Sequence, residues 1–489
     1  MKLSRLVNAL PGHRIIGPFV DFDVSGICSN SKDARDDCLF VAVKGSKADG
    51  GAFIGEAIGR GARAVVYQGI RNQRGAGVPG VVFVGVDDDR TAVAQLACTF
   101  YGNPSHKLQV TGVTGTNGKT TVTYLIEAIL KECRAVPAVV GTINYRFKDT
   151  VRPAINTTPG PLQLQAMLGE MLSCGVSHCC MEVSSHALDQ GRTDGINFRA
   201  GIFTNLTQDH LDYHKDMEGY FRAKAKLFAG LPADSVALIN TDDPFGRRLI
   251  AMTGARVVTY GLENDADVIA RDIRLGVSGT RFLLRASGTA ERYAIRLIGR
   301  HNLYNVLAAY AWGRAVGFPT AAVRKALEGF AQVPGRLEPV ATAKGFSVFV
   351  DYAHTEDALT NVLQALRQIT RRRIIVVFGC GGDRDKSKRP KMGQAVTRLA
   401  DFAIITSDNP RSEEPQDIIR DITRGLGGDN FCVIPERLDA IRKSLELAKT
   451  GDVVLVAGKG HEDYQIYGDR TVHFDDREAV RECLRSTSC

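Results

Sequence analysis

Short apolar runs of four to six residues recur along the chain, and stretches with apolar positions three and four apart lie between them. Runs of that length predict buried strands, and the spaced stretches predict helices that cover them. Between 20 and 102 the predicted strands are 38–43, 64–67 and 81–84, and the predicted helices are 53–60 and 91–100. Asn103-Pro104-Ser105 then supplies a turn. Residues 108–113 read as a buried strand that enters a glycine-rich loop, followed by a helix with Leu125, Ile126, Ile129 and Leu130 on one face. Strands at 179–183, 201–204 and 236–239 and a helix at 303–316 continue the pattern. Val333-Pro334-Gly335-Arg336 interrupts it, and four more apolar runs follow at 347–350, 374–378, 402–406 and 453–457.

This alternation predicts an α/β protein. With 489 residues against a typical domain of roughly 150, three domains are expected: a small α/β domain at 1–103, a P-loop-type mononucleotide-binding domain at 104–335, and a Rossmann-like doubly wound domain at 336–489. Apolar residues at 44% and charged residues at 24% exclude a disordered chain. The formal charge of +8 favours acidic partners, but the basic residues are scattered among acidic ones, which fits anionic small molecules and not nucleic acid. Eleven cysteines without regular spacing, Cys179 and Cys180 adjacent, read as reduced thiols of a cytoplasmic protein. Lys2 and Arg5 precede no signal-type apolar core, and no run approaches about 18 apolar residues, so neither export nor membrane insertion is expected.

In the last four runs polar residues follow at once: Asp351-Tyr352-Ala353-His354, Gly379 to Asp385, Ser407 to Arg411, and Gly458 to Glu462. Open α/β sheets bind ligands at the carboxyl ends of their strands, so these loops are expected to converge. The strongest motif is Thr114-Gly115-Thr116-Asn117-Gly118-Lys119-Thr120-Thr121, between a strand and a helix. There glycines let backbone N–H groups close around phosphate and the helix start adds positive charge. Lys119 would reach the terminal phosphates of ATP and Thr120 would offer its hydroxyl to Mg²⁺. Val113 stands where G-x-x-x-x-G-K-[ST] has its first glycine, so this is not the loop of GTPases or motors. Glu182 at a strand end and His210 in a loop pair a hard oxygen with an imidazole that together suit Mg²⁺ with open positions. Out of context such residues are more often a solvated strand end and a packing histidine.

The shortened loop resembles that of the Mur ligases, which add amino acids to the peptidoglycan precursor. The resemblance continues through Met181-Glu182-Val183-Ser184-Ser185-His186, Thr204-Asn205-Leu206, Asp209-His210-Leu211-Asp212-Tyr213-His214, Tyr220 with Ala223-Lys224, Gly335-Arg336 and Asp351-Tyr352-Ala353-His354-Thr355, and covers nearly the whole chain. It implies a metal site of Thr120, Glu182, His210 and a carbamylated Lys224, with Lys119, Lys224, His210 and Glu182 as the catalytic set. ATP would be held by Gly115, Thr116, Asn117, Gly118, Lys119, Thr120 and Thr121, with Asn302, Arg336 and Asp351; Asn302 and Asn305 are also ordinary helix-cap residues. His301 stands where the family often has an aromatic residue. The first domain would bind the UDP-muramoyl substrate through Ser29, Ser31, Ser46, Lys47 and Ala48, joined by Asn156, Thr157, Thr158, Ser184, Gln190 and Arg192.

Asp408-Asn409-Pro410-Arg411 matches family members that add meso-diaminopimelate, while lysine-adding relatives lack the arginine. The resemblance assigns Arg384, Asp408, Asn409, Pro410, Arg411, Gly458 and Glu462 to that amino acid. Arg411 and Arg384 would grip its distal carboxylate, and Asp408, Asn409 and Glu462 would receive its ammonium. The implied activity is ATP- and Mg²⁺-dependent ligation of meso-2,6-diaminopimelate to the D-glutamate of UDP-N-acetylmuramoyl-L-alanyl-D-glutamate by a monomer. The alternatives are a lysine-adding ligase, a folylpolyglutamate synthase-like ligase, and a nucleotide-regulated nucleic-acid-binding protein.

Overall fold

The computed structural model describes residues 1–45, 48–69 and 78–486. The chain forms two compact units, one of residues 1–266 with 308–323, the other of residues 267–307 with 324–489. In the first unit a five-stranded sheet runs in the order Arg14–Ile16, Val82–Val86, Ala62–Gln68, Cys38–Ala42, Ile27–Cys28, and only the first of these is antiparallel to its neighbour. Leu39 and Val41 pack on one face and Phe40 and Ala42 on the other, because successive side chains point to opposite sides of a strand. With both faces covered, the strand reads as an unbroken apolar run. Helix Asp89–Phe100 is started by Asp88, whose carboxylate accepts from the Arg90 N–H at 3.0 Å.

The second sheet of this unit is built on strand Gln109–Thr114, flanked in parallel by His178–Glu182 and Phe198–Phe203. Pro137–Val140 extends one side, and Val236–Asn240 with Arg256–Gly261 the other. Helix Lys119–Glu132 covers it, with Leu125, Ile126, Ile129 and Leu130 fully buried. Helix Met217–Ala229 starts at Asp216, which accepts from the Gly219 N–H at 2.7 Å. The sheet also holds a hairpin, Asn144–Phe147 with Thr150–Pro153, that apolar runs do not reveal.

In the second unit Ser347–Asp351, Val453–Ala457, Ile374–Phe378, Phe402–Ile405 and Phe431–Val433 form a parallel sheet in that order, with Glu338–Val340 antiparallel at its edge. The same unit contains an antiparallel meander absent from the expected pattern: Val268–Gly276, Gly279–Ala286 and Thr289–Ile295. In Gly279–Ala286 buried Thr280, Phe282, Leu284 and Ala286 alternate with less buried neighbours. Antiparallel sheets tolerate water on one face, so period-two alternation replaces the continuous run. Among the described residues no helix is long and apolar enough to cross a membrane.

One buried ion pair fixes two strand ends of this unit. The Arg437 guanidinium donates to both carboxylate oxygens of Asp476 at 2.7 Å, and also to the carbonyls of Ser407 at 3.2 Å and Ala457 at 3.0 Å. Both side chains are wholly buried. Removing one partner strands the other charge. Arg437→Met is therefore expected to cost about 3–5 kcal/mol, read as a lower urea midpoint; a loss within experimental error would show that the pair holds nothing together.

Candidate active site

Three strand ends meet at the phosphate loop. Parallel pairing puts Glu182 opposite Val113 and Phe203 opposite Thr114, so the residues following each strand share one edge of the sheet. Gly115 has φ of +150°, and a Cβ there would lie 1.9 Å from the Thr204 hydroxyl, so only glycine lets the loop pass. Asn205 accepts from the Asn117 N–H at 3.0 Å and donates back to the Asn117 carbonyl at 3.2 Å. Thr116 bonds the Tyr220 hydroxyl and the Thr207 carbonyl, each at 3.2 Å. Gly118, also at positive φ, leads into the helix that begins at Lys119, with Thr120 and Thr121 buried in its first turn. Lys119 Nζ lies over the loop, donating to the carbonyls of Gly115 at 2.9 Å and Thr116 at 2.8 Å.

Glu182 is 1% exposed and accepts three hydrogen bonds, from the Thr120 hydroxyl at 2.9 Å, the Thr142 N–H at 2.9 Å and the Thr142 hydroxyl at 3.0 Å. Thr142 was not among the expected residues; its signal is Gly141-Thr142 directly after an apolar run, the same grammar as the other loops. Lys224 is 1% exposed and donates to the Gly115 carbonyl at 2.8 Å, with the Tyr220 ring 4.5 Å away. Burial, with Lys119 adding repulsion, holds its ammonium well below the usual lysine range. His210, at φ of +53°, is exposed, 3.4 Å from Asp209, with its ring near His186 and Tyr220.

The Thr120 hydroxyl beside a buried carboxylate is a fitting start for Mg²⁺, which keeps waters and takes phosphate oxygens with one or two carboxylates. Among the described residues no three histidine, cysteine or acidic side chains converge.

A cleft of about 740 Å³ in the same unit is lined by Ser29, Arg35, Gly45, Gln190, Arg192 and Tyr213, among others. Ser29, Gln190 and Arg192 are thus brought together. Arg192 donates to Gln190 Oε1 at 2.7 and 3.0 Å and to the Thr158 carbonyl at 3.0 Å. Thr158 donates to the Glu182 carbonyl, and Ser184 caps its helix by accepting from the Ala187 N–H. Thr157 bonds Thr142, and Asn156 bonds the Tyr145 hydroxyl through its backbone. Ser31 is spent elsewhere, donating to Glu56 at 2.8 Å. The Ala48 carbonyl closes a turn with the Gly45 N–H, while Ser46 and Lys47 lie outside the described residues.

In the second unit Asn302 donates to the Ile298 carbonyl and accepts from Asn305, both buried, so each is committed within its own helix start. Asp351 accepts from the N–H groups of Leu337 at 2.7 Å and Ala353 at 2.8 Å; burial raises its pKa and Arg336 opposes that. Arg336 lies over the Tyr352 ring at 5.1 Å.

The Asp408–Arg411 and Gly458–Glu462 loops face each other. Asn409 donates to Glu462 Oε2 at 3.0 Å, and its own Oδ1 accepts from Lys459 Nζ and the Ile466 N–H, both at 3.1 Å. That amide oxygen is already filled, so of the three groups expected to receive an ammonium, Asp408 and Glu462 keep carboxylate capacity. Burial first, then Asp408, raises the Glu462 pKa. Gly458 has φ of +117°, and a Cβ would sit 2.6 Å from Asp408 Oδ2, so close approach needs glycine here. Arg411 has φ of +53°, is held by backbone bonds to Ile466 and Gly468, and donates Nη1 to the Gly382 carbonyl at 2.7 Å. Pro410 precedes it and is buried, whereas Arg384 is exposed. Lys459, in the Gly458–Glu462 loop and fully buried, was not among the expected residues.

Residues 113–313 match the Mur ligase middle domain, and residues 335–460 match the Mur ligase glutamate ligase domain. A protein of Caldanaerobacter subterraneus subsp. tengcongensis named UDP-N-acetylmuramoyl-L-alanyl-D-glutamate–2,6-diaminopimelate ligase is 44% identical over 484 residues, 98% of this chain and 99% of its own. One of the same name from Geobacter metallireducens is 45% identical over 513 residues, 99% of this chain and 98% of its own. A solved structure under that name aligns over the whole of both chains with a TM-score of 0.72 at 30% identity. Similarity of this degree along the full length, with a phosphate loop, a buried acid and a buried lysine at one sheet edge, makes this chain a member of the Mur ligase family.

Proposed function

We propose that the protein is the ligase that joins meso-2,6-diaminopimelate to the D-glutamate of UDP-N-acetylmuramoyl-L-alanyl-D-glutamate at the expense of ATP. The relatives of 44–45% identity that carry this activity in their names support the reading. The observation that carries it is the Asp408–Arg411 loop facing Glu462: a buried Asp408 and a partly buried Glu462 beside a pinned arginine. Diaminopimelate presents an ammonium and a carboxylate at its distal end, whereas lysine presents only the ammonium. A half-buried Arg411 left without a carboxylate would cost desolvation without a charge-assisted bond in return.

In this reading residues 1–103 hold the UDP end, 104–335 the ATP and 336–489 the amino acid. Ser29, Gln190 and Arg192 line the substrate cleft. The glutamate γ-carboxylate attacks the γ-phosphorus of ATP, ADP leaves, and an acyl phosphate forms. The diaminopimelate amine then adds to the acyl carbon, loses a proton, and expels phosphate to leave the amide. The chain's part is positioning and charge neutralisation. Lys119 exchanges its loop carbonyls for phosphate oxygens, and the N–H groups of residues 115 to 121 cradle the rest. Thr120, Glu182 and His210 would hold Mg²⁺, which when bound neutralises charge on the transferring phosphoryl group. Lys224 is a buried amine with no carboxylate hydrogen bond among the described residues; burial lowers its pKa, and the neutral amine is the form that attacks CO₂. Its carbamate would bring negative charge to the Gly115 loop. The protein would work as a cytoplasmic monomer, without nucleic-acid or membrane partners.

Purified protein given ATP, Mg²⁺ and the UDP-muramoyl dipeptide is expected to release phosphate and form the tripeptide with diaminopimelate but not with lysine. Equal turnover of lysine would sink the specificity assignment. Arg411→Ala is expected to raise the KM for diaminopimelate roughly tenfold to a hundredfold, as for loss of a charged hydrogen bond, with the KM for ATP little changed; equal shifts in both contradict its role. CO₂-depleted buffer is expected to lower turnover and bicarbonate to restore it, and activity indifferent to both argues against the Lys224 carbamate.

A further inference from the structure

Cys28 ends the short strand Ile27–Cys28, and Cys38 begins the strand Cys38–Ala42 that pairs with it. Cys28 lies opposite Phe40 in the parallel register, so Cys38, two residues earlier, is on the same face. Both belong to one small apolar cluster with Phe40 and Ala57, and their sulfurs are 3.8 Å apart. A disulfide needs about 2 Å between sulfurs, so closing the bond draws the two short strands toward each other. Both cysteines also line the 740 Å³ cleft, alongside Ser29 and Gly45, which gives a small solute its approach.

The pair shares its protons unequally. A hydrogen bond shared with the Cys28 sulfur lowers the Cys38 pKa, and the Arg35 N–H, which donates to the Cys38 sulfur at 3.4 Å, lowers it further. The shared proton, with burial, pushes Cys28 up. A thiolate next to a thiol is the arrangement of reactive dithiols. Cys98, Cys179, Cys180 and Cys380 differ: burial raises each of them, as for inert core thiols.

We propose that Cys28 and Cys38 form a dithiol that a peroxide converts to a disulfide, and that the new bond weakens binding of the UDP end of the substrate in the adjoining cleft. The second half rests on the function proposed above. The Cys38 thiolate attacks one peroxide oxygen, the O–O bond breaks, and the departing hydroxide takes a proton to leave as water. Cys28 sulfur then attacks the Cys38 sulfenic acid, the S–O bond breaks, and that hydroxide leaves as water with the Cys28 proton. Two thiols are oxidised and one peroxide is reduced to two waters. The bond draws together the segment leading to Ser29 and the strand leading to Val43 and Gly45, two walls of one cleft.

The full-length protein is treated with hydrogen peroxide, mapped by mass spectrometry without reduction, and assayed with and without dithiothreitol. The expected result is a Cys28–Cys38 linked peptide and a KM for the UDP-muramoyl dipeptide raised roughly tenfold, with the KM for ATP unchanged and reversal by dithiothreitol. In Cys28→Ala and Cys38→Ala the ratio of treated to untreated KM should return to near one. Oxidation that bypasses this pair, or a linked protein with unchanged KM, overturns the proposal. Calorimetric titration of the UDP-muramoyl dipeptide into reduced and oxidised protein separates the two readings. Weaker binding after oxidation by a protein that never ligates would sustain the dithiol and refute the ligase assignment, and equal binding would refute the dithiol.

Discussion

The phosphate site depends on parallel pairing of strand Gln109–Thr114 with His178–Glu182 and Phe198–Phe203. Parallel strands end on the same edge, and this register sets Glu182 level with the first residues of the phosphate loop. A slip of one residue would turn Glu182 away from Thr120 and expose the apolar side chains that now face the helices. The burial of both faces, which makes the strands read as unbroken apolar runs, is therefore also what holds the acid in place. Lys224 enters the same arrangement from helix Met217–Ala229, and the carbonyl of Gly115 accepts from it and from Lys119 together. Burial, with repulsion from Lys119, lowers the Lys224 pKa at this shared carbonyl.

The second unit repeats the principle with different chemistry. Its strand ends carry the Asp408–Arg411 and Gly458–Glu462 loops, and Arg437 clamps the carbonyls of Ser407 and Ala457 just before both loops begin. The role proposed for these loops, holding a zwitterionic end group, needs carboxylates that are fixed as well as partly desolvated. The buried arginine fixes the strand ends, while Asn409 and Lys459 tie the two loops together.

Much of this was legible in the residues. The phosphate loop announced itself through strand, glycines and lysine in sequence, and Leu125, Ile126, Ile129 and Leu130 fell on the buried face as their spacing required. The parallel strands were visible because their apolar runs are continuous. The meander at Val268–Ile295 was not, since half its positions face water and its alternation is interrupted where the register shifts between Arg271 and Arg274. Contacts between distant residues were equally hidden: nothing local to Arg437 points to Asp476, and nothing in Ser31 tells that its hydroxyl turns to Glu56. Thr142 and Lys459 went unassigned because one threonine after a strand and one lysine between glycines are common, and only the fold shows what each faces.

The left-handed backbone at Arg411 has an evolutionary side. A bulky side chain at positive φ is strained, and glycine or asparagine would sit there more comfortably. The same substitution would remove the guanidinium, so under the proposed role drift at this position would exchange selectivity for stability. If Arg411 plays the proposed role, a lineage released from choosing between amino acids would be expected to lose the arginine before it lost the loop.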